Sequence, residues 1–445
     1  MADALLPFAA RAVEFAMKAG ATSCDGLALD SADINAGIRG GVPETIERAE
    51  SRGVGLRVFV GQASASLSTS EFSDSALQEL AEKAVAIAKA APADPFAGLA
   101  DAALLATANP DLDLADDSEP TMDELQQRAR ETEEIGRSIA GITNSEGADA
   151  GFNRTHLALA TSHGFHGEYA LTRHSLSVSV IAGTGDTMQR DYDYGMTTHL
   201  SDLASPETIG REAARRTLER MHPRKVASQQ AAIFFEPRIS RSLLGAFAGA
   251  ISGTAITRGT SFLKNDLGKK IFNDSITISD DPLRKRGLAS HAWDAEGVAA
   301  TKRALVEQGL LTTWLLDARS ARQLNMQPTG HASRGLAGTP HPSTTNLYIE
   351  NGALSPQQLL QQFGTGFLVT ETIGHGTNLL TGDFSVGASG FWIENGERQF
   401  PVSEVTIAGN LRDMFATLIA ANDLEFRYST NAPTLVVPSM TIAGN

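Results

Sequence analysis

Ten histidines and one cysteine limit what this chain can offer a metal or an attacking nucleophile. A zinc site of the HExxH kind needs two imidazoles one helical turn apart with a glutamate between them, so that both lone pairs meet one cation. No two histidines here stand four or five residues apart, and that mechanism has no place in the sequence. His163 and His166 in SHGFHGEY are closer, but Gly164 and Gly167 interrupt any helix and make them turn residues. Asp186, Asp191 and Asp193 in TGDTMQRDYDY resemble an acidic cation loop; without a glycine at the sharp turn or a closing glutamate, they read as solvated strand ends. GHGTNLLTGD (374–383) carries Gly374 and Gly376 after the apolar GFLVTETI, yet position 379 is Leu and no Lys-Ser/Thr pair follows, which argues against a phosphate loop. Cys24 in TSCDG has no nucleophile signature and reads as a small semi-buried hydrophobe. Arg211, Arg215, Arg216, Arg220, Arg224 and Lys225 form a basic cluster. Glu207, Glu212 and Glu219 share its helix, which predicts a salt-bridged outer face rather than a nucleic-acid surface.

The elements that must position these residues are legible from periodicity and punctuation. Phe8, Ala12, Phe15 and Ala19 recur at helical spacing before Gly20, which predicts a first helix ending there. Residues 26–38, 43–50, 54–60 and 63–70 alternate at period two, with SRG (51–53) and GQ (61–62) as turns. A second helix is signalled by Ser75 with Gln78 as a capping box. Four prolines and the acidic DLDLADDSEP between 91 and 120 predict an exposed linker and a boundary near 118. Thr121 with Glu124 caps another helix to about 139. Strands run from Ala148 to Thr198, and Ser205-Pro206 opens a helix that His222-Pro223 ends. In the last third, Gln308-Gly309 and Asn395-Gly396 mark hairpin turns. The expected fold is therefore α+β: antiparallel sheets with flanking helices in domains at 1–118 and 119–228, then a larger strand-rich α+β domain at 229–445.

The 445 residues carry 37 basic and 52 acidic side chains for a net charge of −15, which disfavours a nucleic-acid partner without a local basic patch. A single cysteine excludes an intrachain disulfide and favours a reducing compartment. Asp3 stands where an export signal would carry a cation, and no window reaches the roughly 18 apolar residues of a membrane span, so the cytoplasm is the expected location.

Four segments carry a resemblance to a known family: GAISGTAITRGTSFLKNDLGKKIF (249–272), WDAEGVAATKRALVEQGLLTTWLLDARSARQL (293–324), GASGFWIENGERQFPVSEVTIAGNLRDMF (387–415) and PSMTIAG (438–444). In these the chain resembles the TldD/PmbA family, within it the PmbA (TldE) branch. The resemblance implies a relation to zinc peptidases whose TldD branch holds the metal with HExxxH on a helix and a cysteine near the C-terminus. This sequence has Phe235-Glu236-Pro237-Arg238-Ile239-Ser240 in the helix position and FRYSTNAPTLVV in place of the cysteine segment. Glu236 matches; the imidazoles and thiolate do not, and Pro237 requires the helix to begin differently. The resemblance implies a non-catalytic subunit with no catalytic or metal-binding residues and no cofactor of its own. It would pair with a TldD-like catalytic subunit that holds the zinc, act on unfolded peptide substrates such as peptide precursors and antitoxins, and form a homodimer when alone. GFLVTETI and GASGFWIE are candidate walls of a peptide groove, with core strands as the other reading. Two further functions stay open: a self-sufficient hydrolase using His375 with Asp383 or His331, and a DNA gyrase-associated regulator, an older label of the family.

Overall fold

Ala9, Ala12 and Ala16 are the buried residues of the first helix, α1 (Leu6–Ala19), and Gly20 ends it with φ 103°, a left-handed turn that a side chain would resist. The computed structural model describes residues 4–374 and 376–444. After α1 come β1 (Ser23–Arg39), β2 (Val42–Val60), β3 (Ala63–Thr69) and α2 (Asp74–Ala90), then α3 (Met122–Ser138), β4 (Ile142–Thr161), β5 (His166–Ala182), β6 (Gln189–Thr197) and α4 (Pro206–Glu219). The capping box at Thr121 and the Ser205-Pro206 start both form as the sequence predicts.

These strands make one antiparallel sheet in the order β3-β2-β1-β4-β5-β6, so β1 and β4, from either side of position 118, are direct neighbours from Asp25↔Thr161 to Ile38↔Ala148. Alternation sorts its two faces. Cys24 and Ala28 of β1 pack with α1 and α2, and Ile34, Ala36 and Ile38 of the same face join the core carrying Leu125 and Ile209 from α3 and α4. The opposite face, with Leu27 and Leu159, packs on Trp293 of the C-terminal region. There Arg57 donates to Asp25 Oδ2 at 2.8 Å and to Glu296 Oε1 at 3.2 Å, while Arg334 Nη2 stands 2.5 Å from Asp25, a buried ionic staple between the two layers.

Three expectations need correction. SRG (51–53) is no turn: β2 is continuous, and Ser51, Arg52 and Gly53 pair with Ser31, Asp30 and Leu29. The glycines serve close approach instead, since a Cβ on Gly55 would meet the Leu336 carbonyl oxygen at 1.8 Å. α2 is capped by Ser73, whose hydroxyl accepts from the Ala76 N–H, rather than by Ser75. The stretch after α2 is not an exposed linker. Leu99, Ala100, Leu112 and Leu114 are buried, and Arg322 donates to the Phe96 and Gly98 carbonyls at 3.1 Å, so the segment is a strap held against the C-terminal region.

That region contains β7 (Gln229–Phe235), α5 (Pro237–Ala250), α6 (Gly253–Thr257), β8 (Ile278–Asp280), β9 (Arg303–Glu307), β10 (Leu310–Leu311), α7 (Ala318–Gln323), β11 (Ala332–Ser333), β12 (His341–Pro342), β13 (Leu347–Ile349), α8 (Pro356–Phe363), β14 (Gly366–Ile373), β15 (Asp383–Glu394), β16 (Glu397–Asn410), α9 (Leu411–Thr417), β17 (Ile419–Ala420), β18 (Thr430–Asn431) and β19 (Leu435–Ala443). Its main sheet runs β16-β15-β14-β7-β19-β17, and β16 also pairs with β19, so five strands close on themselves. A second sheet runs β10-β9-β8-β13-β18. Gln308-Gly309 and Asn395-Gly396 turn with positive φ at both residues, as type I′ hairpins require. The whole is α+β, and no helix among the described residues is long and apolar enough to cross a membrane.

Candidate functional site at the start of α5

Ile233, Phe234 and Phe235 end β7 fully buried, which fixes where α5 can begin. Glu236 is its N-cap, in extended conformation, and Pro237 occupies the first turn, where a missing N–H costs nothing. Phe235 and Ser240 stand at the two imidazole positions of the HExxxH register. The phenyl ring lies in the main hydrophobic core, and the buried Ser240 hydroxyl donates to the Phe235 carbonyl at 2.8 Å. Neither side chain presents a lone pair to a cation.

Arg238, the second residue of α5, organises what lies between. Its Nε donates to Glu236 Oε1 at 2.7 Å. Nη1 donates to Asp191 Oδ1 at 2.6 Å and to the Tyr192 carbonyl at 3.3 Å, and Nη2 to Asp191 Oδ2 at 3.2 Å and the Thr370 carbonyl at 2.9 Å. All five guanidinium protons are thus engaged. The group also lies 4.9 Å from the centroid of the Tyr192 ring. Arg220 adds a contact to Asp191 at 3.3 Å and a bond to Glu371, while Asp193 faces Arg427 at 3.3 Å and Arg216 at 3.6 Å. Arg241 donates to the Tyr194 hydroxyl at 2.8 Å and stacks on Tyr428, 4.2 Å from its centroid.

The carboxyl groups answer to these neighbours differently. Burial works to raise the Asp191 pKa, but hydrogen bonds and charge from Arg238, with the Tyr192 N–H and Arg220, hold it below its ordinary value. At Asp193 burial prevails over Arg427 and Arg216, and the pKa is raised. Glu236 is likewise raised by burial, which Arg238 only partly offsets. A cleft of about 170 Å³ opens here between Glu236, Arg238, Arg216, Arg427 and Tyr428. With each carboxylate bound to guanidinium and no imidazole or thiolate at the matching positions, these side chains do not fit a zinc ion. Among the described residues no three or more His, Cys, Asp or Glu side chains gather as a cation site.

The sequence reading missed this cluster. Asp191 and Asp193 are not solvated strand ends: both are buried on one face of β6, and only Asp186 is exposed. The basic cluster is divided. Arg211 and Arg215 do form outer ion pairs with Glu207, Glu212 and Glu219, but Arg216 and Arg220 turn inward to the aspartates. The alternation DYDY was the available signal, since it places both aspartates on one face and the tyrosines on the other.

The remaining candidates are scattered. His163 lies in the turn before β5, with Nδ1 3.2 Å from the Ala100 carbonyl, and His166 begins that strand. His331 is buried, with Nε2 3.4 Å from Asp280 and Nδ1 2.9 Å from the Thr329 hydroxyl. Asp383 is exposed at the start of β15 and bonds Thr381 and Asn410, so it shares no partner with His331; His375 lies outside the described residues. Gly374 and Gly376 flank it, and a Cβ on Gly376 would meet the Ser385 carbonyl oxygen at 1.5 Å, a requirement of strand packing rather than of a phosphate. Cys24 is fully buried, and burial together with Asp25 pushes its thiol up to about 12, which leaves it unreactive. GASGFWIE is an interior strand, and GFLVTETI is interior over Gly366–Val369, whereas Glu371–Ile373 pair with β15 alone. β15 lies between β14 and β16, β14 lies between β7 and β15 over Gly366–Val369, and the Thr370 carbonyl beyond is taken by Arg238.

Models of the PmbA/TldA metallopeptidase domain 1, central domain and C-terminal domain match residues 26–88, 115–221 and 228–444, and the chain belongs to the PmbA/TldD metallopeptidase family. Within it the similarity is to the PmbA branch. The metalloprotease PmbA of Escherichia coli O157:H7 is 40% identical over 92% of this chain and 90% of its own. The PmbA homolog of Haemophilus influenzae is 37% identical over 98% and 95%. A Bacteroides thetaiotaomicron crystal structure named as a candidate modulator of DNA gyrase superposes with TM-score 0.90 at 27% identity, covering 99% of this chain and 98% of that one. TldE from Thermococcus kodakarensis shares the fold, with TM-score 0.88 at 20% identity over 97% and 99%.

Proposed function

We propose that this chain is the non-catalytic subunit of a cytoplasmic heterodimeric zinc metallopeptidase that acts on unfolded peptides, and that a TldD-like partner supplies every zinc ligand. The observation that carries the reading is Arg238. It stands between the positions matching the metal-binding histidines and commits all five donors to Asp191, Glu236 and two backbone carbonyls. A guanidinium locked there supplies a permanent positive charge but cannot acidify a water as a Lewis acid does. Phe235 and Ser240, spent on the core and on a backbone carbonyl, support the same division of labour. The role left for this scaffold is to shape the cavity in which the partner's site works and to keep folded proteins out of it. Co-expression with the TldD-like protein of the same genome, followed by size-exclusion chromatography and cleavage of an unfolded peptide, tests both halves. Co-elution with cleavage faster than by the partner alone is expected; separate elution, or equal rates with and without this chain, refutes the proposal.

A further inference from the structure

Where the strap leaves α2 it walls a cleft of about 410 Å³ between the first sheet and the C-terminal region, within the roughly 300–1,000 Å³ of small-molecule sites. Two short helices turn one face each towards it. Thr254 and Arg258 stand one turn apart along α6 and its C-cap, and Arg319 and Gln323 one turn apart on α7. The helices approach closely because residue 253 is glycine: a Cβ there would meet the Ser320 hydroxyl oxygen at 2.5 Å. Asp94 of the strap accepts from Arg319 Nε at 2.7 Å, and the Arg322 bonds to the Phe96 and Gly98 carbonyls fix the strap as the facing wall. Phe59 of β2 and Pro340 add apolar surface.

The cleft is rich in donors that have no acceptor. Among the described residues Arg258 has no carboxylate within 4.0 Å, Gln323 makes no side-chain hydrogen bond and has its Oε1 buried, and Arg319 uses Nε alone, which leaves Nη1 and Nη2. The charges can be matched one by one. Arg57 is held by Asp25 and Glu296, Arg319 by Asp94, and Asp317 receives the Ser320 N–H as the N-cap of α7. Arg258 is left over, in a chain whose net charge is −15. One surplus positive charge suits a singly charged carboxylate better than a phosphate dianion, which would leave a second charge without a partner.

We propose that this cleft binds a carboxylate with a short apolar body: Arg258 supplies the charge, Arg319 and the Gln323 amide supply further N–H donors, and Phe59 and Pro340 take the body. A small organic acid and the C-terminus of a peptide both carry that chemistry.

The test needs neither the partner nor cleavage, so its failure would leave the subunit reading standing. The probe is a fluorescein-labelled tetrapeptide ending in phenylalanine, offered to the full-length chain alone and followed by anisotropy. The free acid is expected to bind, and the C-terminal amide at least about tenfold more weakly. R258Q removes an exposed side chain without breaking an ion pair, and should lower the affinity for the acid about tenfold; R258K, which keeps the charge, should recover part of it. Competition with N-acetylphenylalanine separates the two sources. Displacement at concentrations similar to unlabelled peptide assigns the cleft to small acids, and a requirement for a hundredfold more assigns it to peptide termini; either result supports a carboxylate site. Absence of binding, equal binding of acid and amide, indifference to R258Q, or displacement by inorganic phosphate as readily as by the acid overturns the proposal.

Discussion

Replacing Arg238 by Met would keep most of the side-chain volume and remove the charge on which the α5 cluster depends. Asp191 would lose two bonds, at 2.6 and 3.2 Å, and Glu236 one at 2.7 Å. Breaking a buried ion pair from one side costs about 3–5 kcal/mol, because a desolvated charge is left behind. Asp191 keeps the Tyr192 N–H at 2.8 Å and Arg220 at 3.3 Å, and the Glu236 side chain is 19% exposed and can reach water. The low end, about 3 kcal/mol, is therefore expected, roughly 150-fold in the folded-to-unfolded ratio. The pH dependence has a definite sign. In the native chain the depressed Asp191 pKa contributes stability that is present above its unfolded value and lost as pH falls through the folded one. In R238M burial would raise that pKa, so a penalty is present at neutral pH and disappears as the group protonates. The gap between the two proteins should be widest near pH 7 and narrow towards pH 4, with Glu236 acting in the same direction. Urea titrations followed by the fluorescence of Trp314 and Trp392, which share a core with Phe235, measure it without screening the charges. An unchanged midpoint at pH 7, or a gap that does not close on acidification, refutes the role given to Arg238.

Further outcomes follow from the same geometry. Replacing Phe235 and Ser240 together by His should create no peptidase and should destabilise the chain by about 3 kcal/mol, since a buried ring becomes a polar one with no partner; cleavage of an unfolded peptide by the double variant would contradict it. Chain purified alone should carry no stoichiometric zinc in metal analysis, and one zinc per chain would overturn the subunit proposal. Cys24 should resist iodoacetamide at pH 8 in the folded chain and react once urea unfolds it, because only the thiolate attacks and burial suppresses it; rapid labelling without denaturant would contradict its buried, raised-pKa state.

Local chemistry was legible in the sequence wherever a few neighbouring residues decide the outcome. The Thr121 capping box, the Ser205-Pro206 helix start and the Asn395-Gly396 turn each rest on contacts within a few residues. Pro237 likewise announced that α5 could not begin as a metal-binding helix does. The failures share another cause. Gly53 reads as a turn residue until Leu336 is seen against it, and Leu112 and Leu114 read as linker until the Arg286 and Thr172 N–H groups are seen donating to their carbonyls. Asp191 and Asp193 looked solvated because their arginines come from α4, from α5 and from Arg427 near the end of the chain. No periodicity reports a partner so far along the sequence.

The closed sheet of the C-terminal region has a consequence for synthesis. β7 is made early in that region, yet its two neighbours are β14 and β19, with Phe235 opposite Leu435. At roughly 5–20 residues per second, β19 leaves the ribosome about 10–40 s after β7. Throughout that interval Ile233, Phe234 and Phe235 lack the strand that covers them, while the six-stranded sheet upstream already has all its members. The nascent chain therefore carries a folded forward half and an unpaired apolar strand behind it, the kind of segment that holdase chaperones bind. A stalled ribosome between β14 and β19 would strand the protein at its most aggregation-prone length, with every partner of Arg238 already made but the strand that closes the sheet over Phe235 still missing.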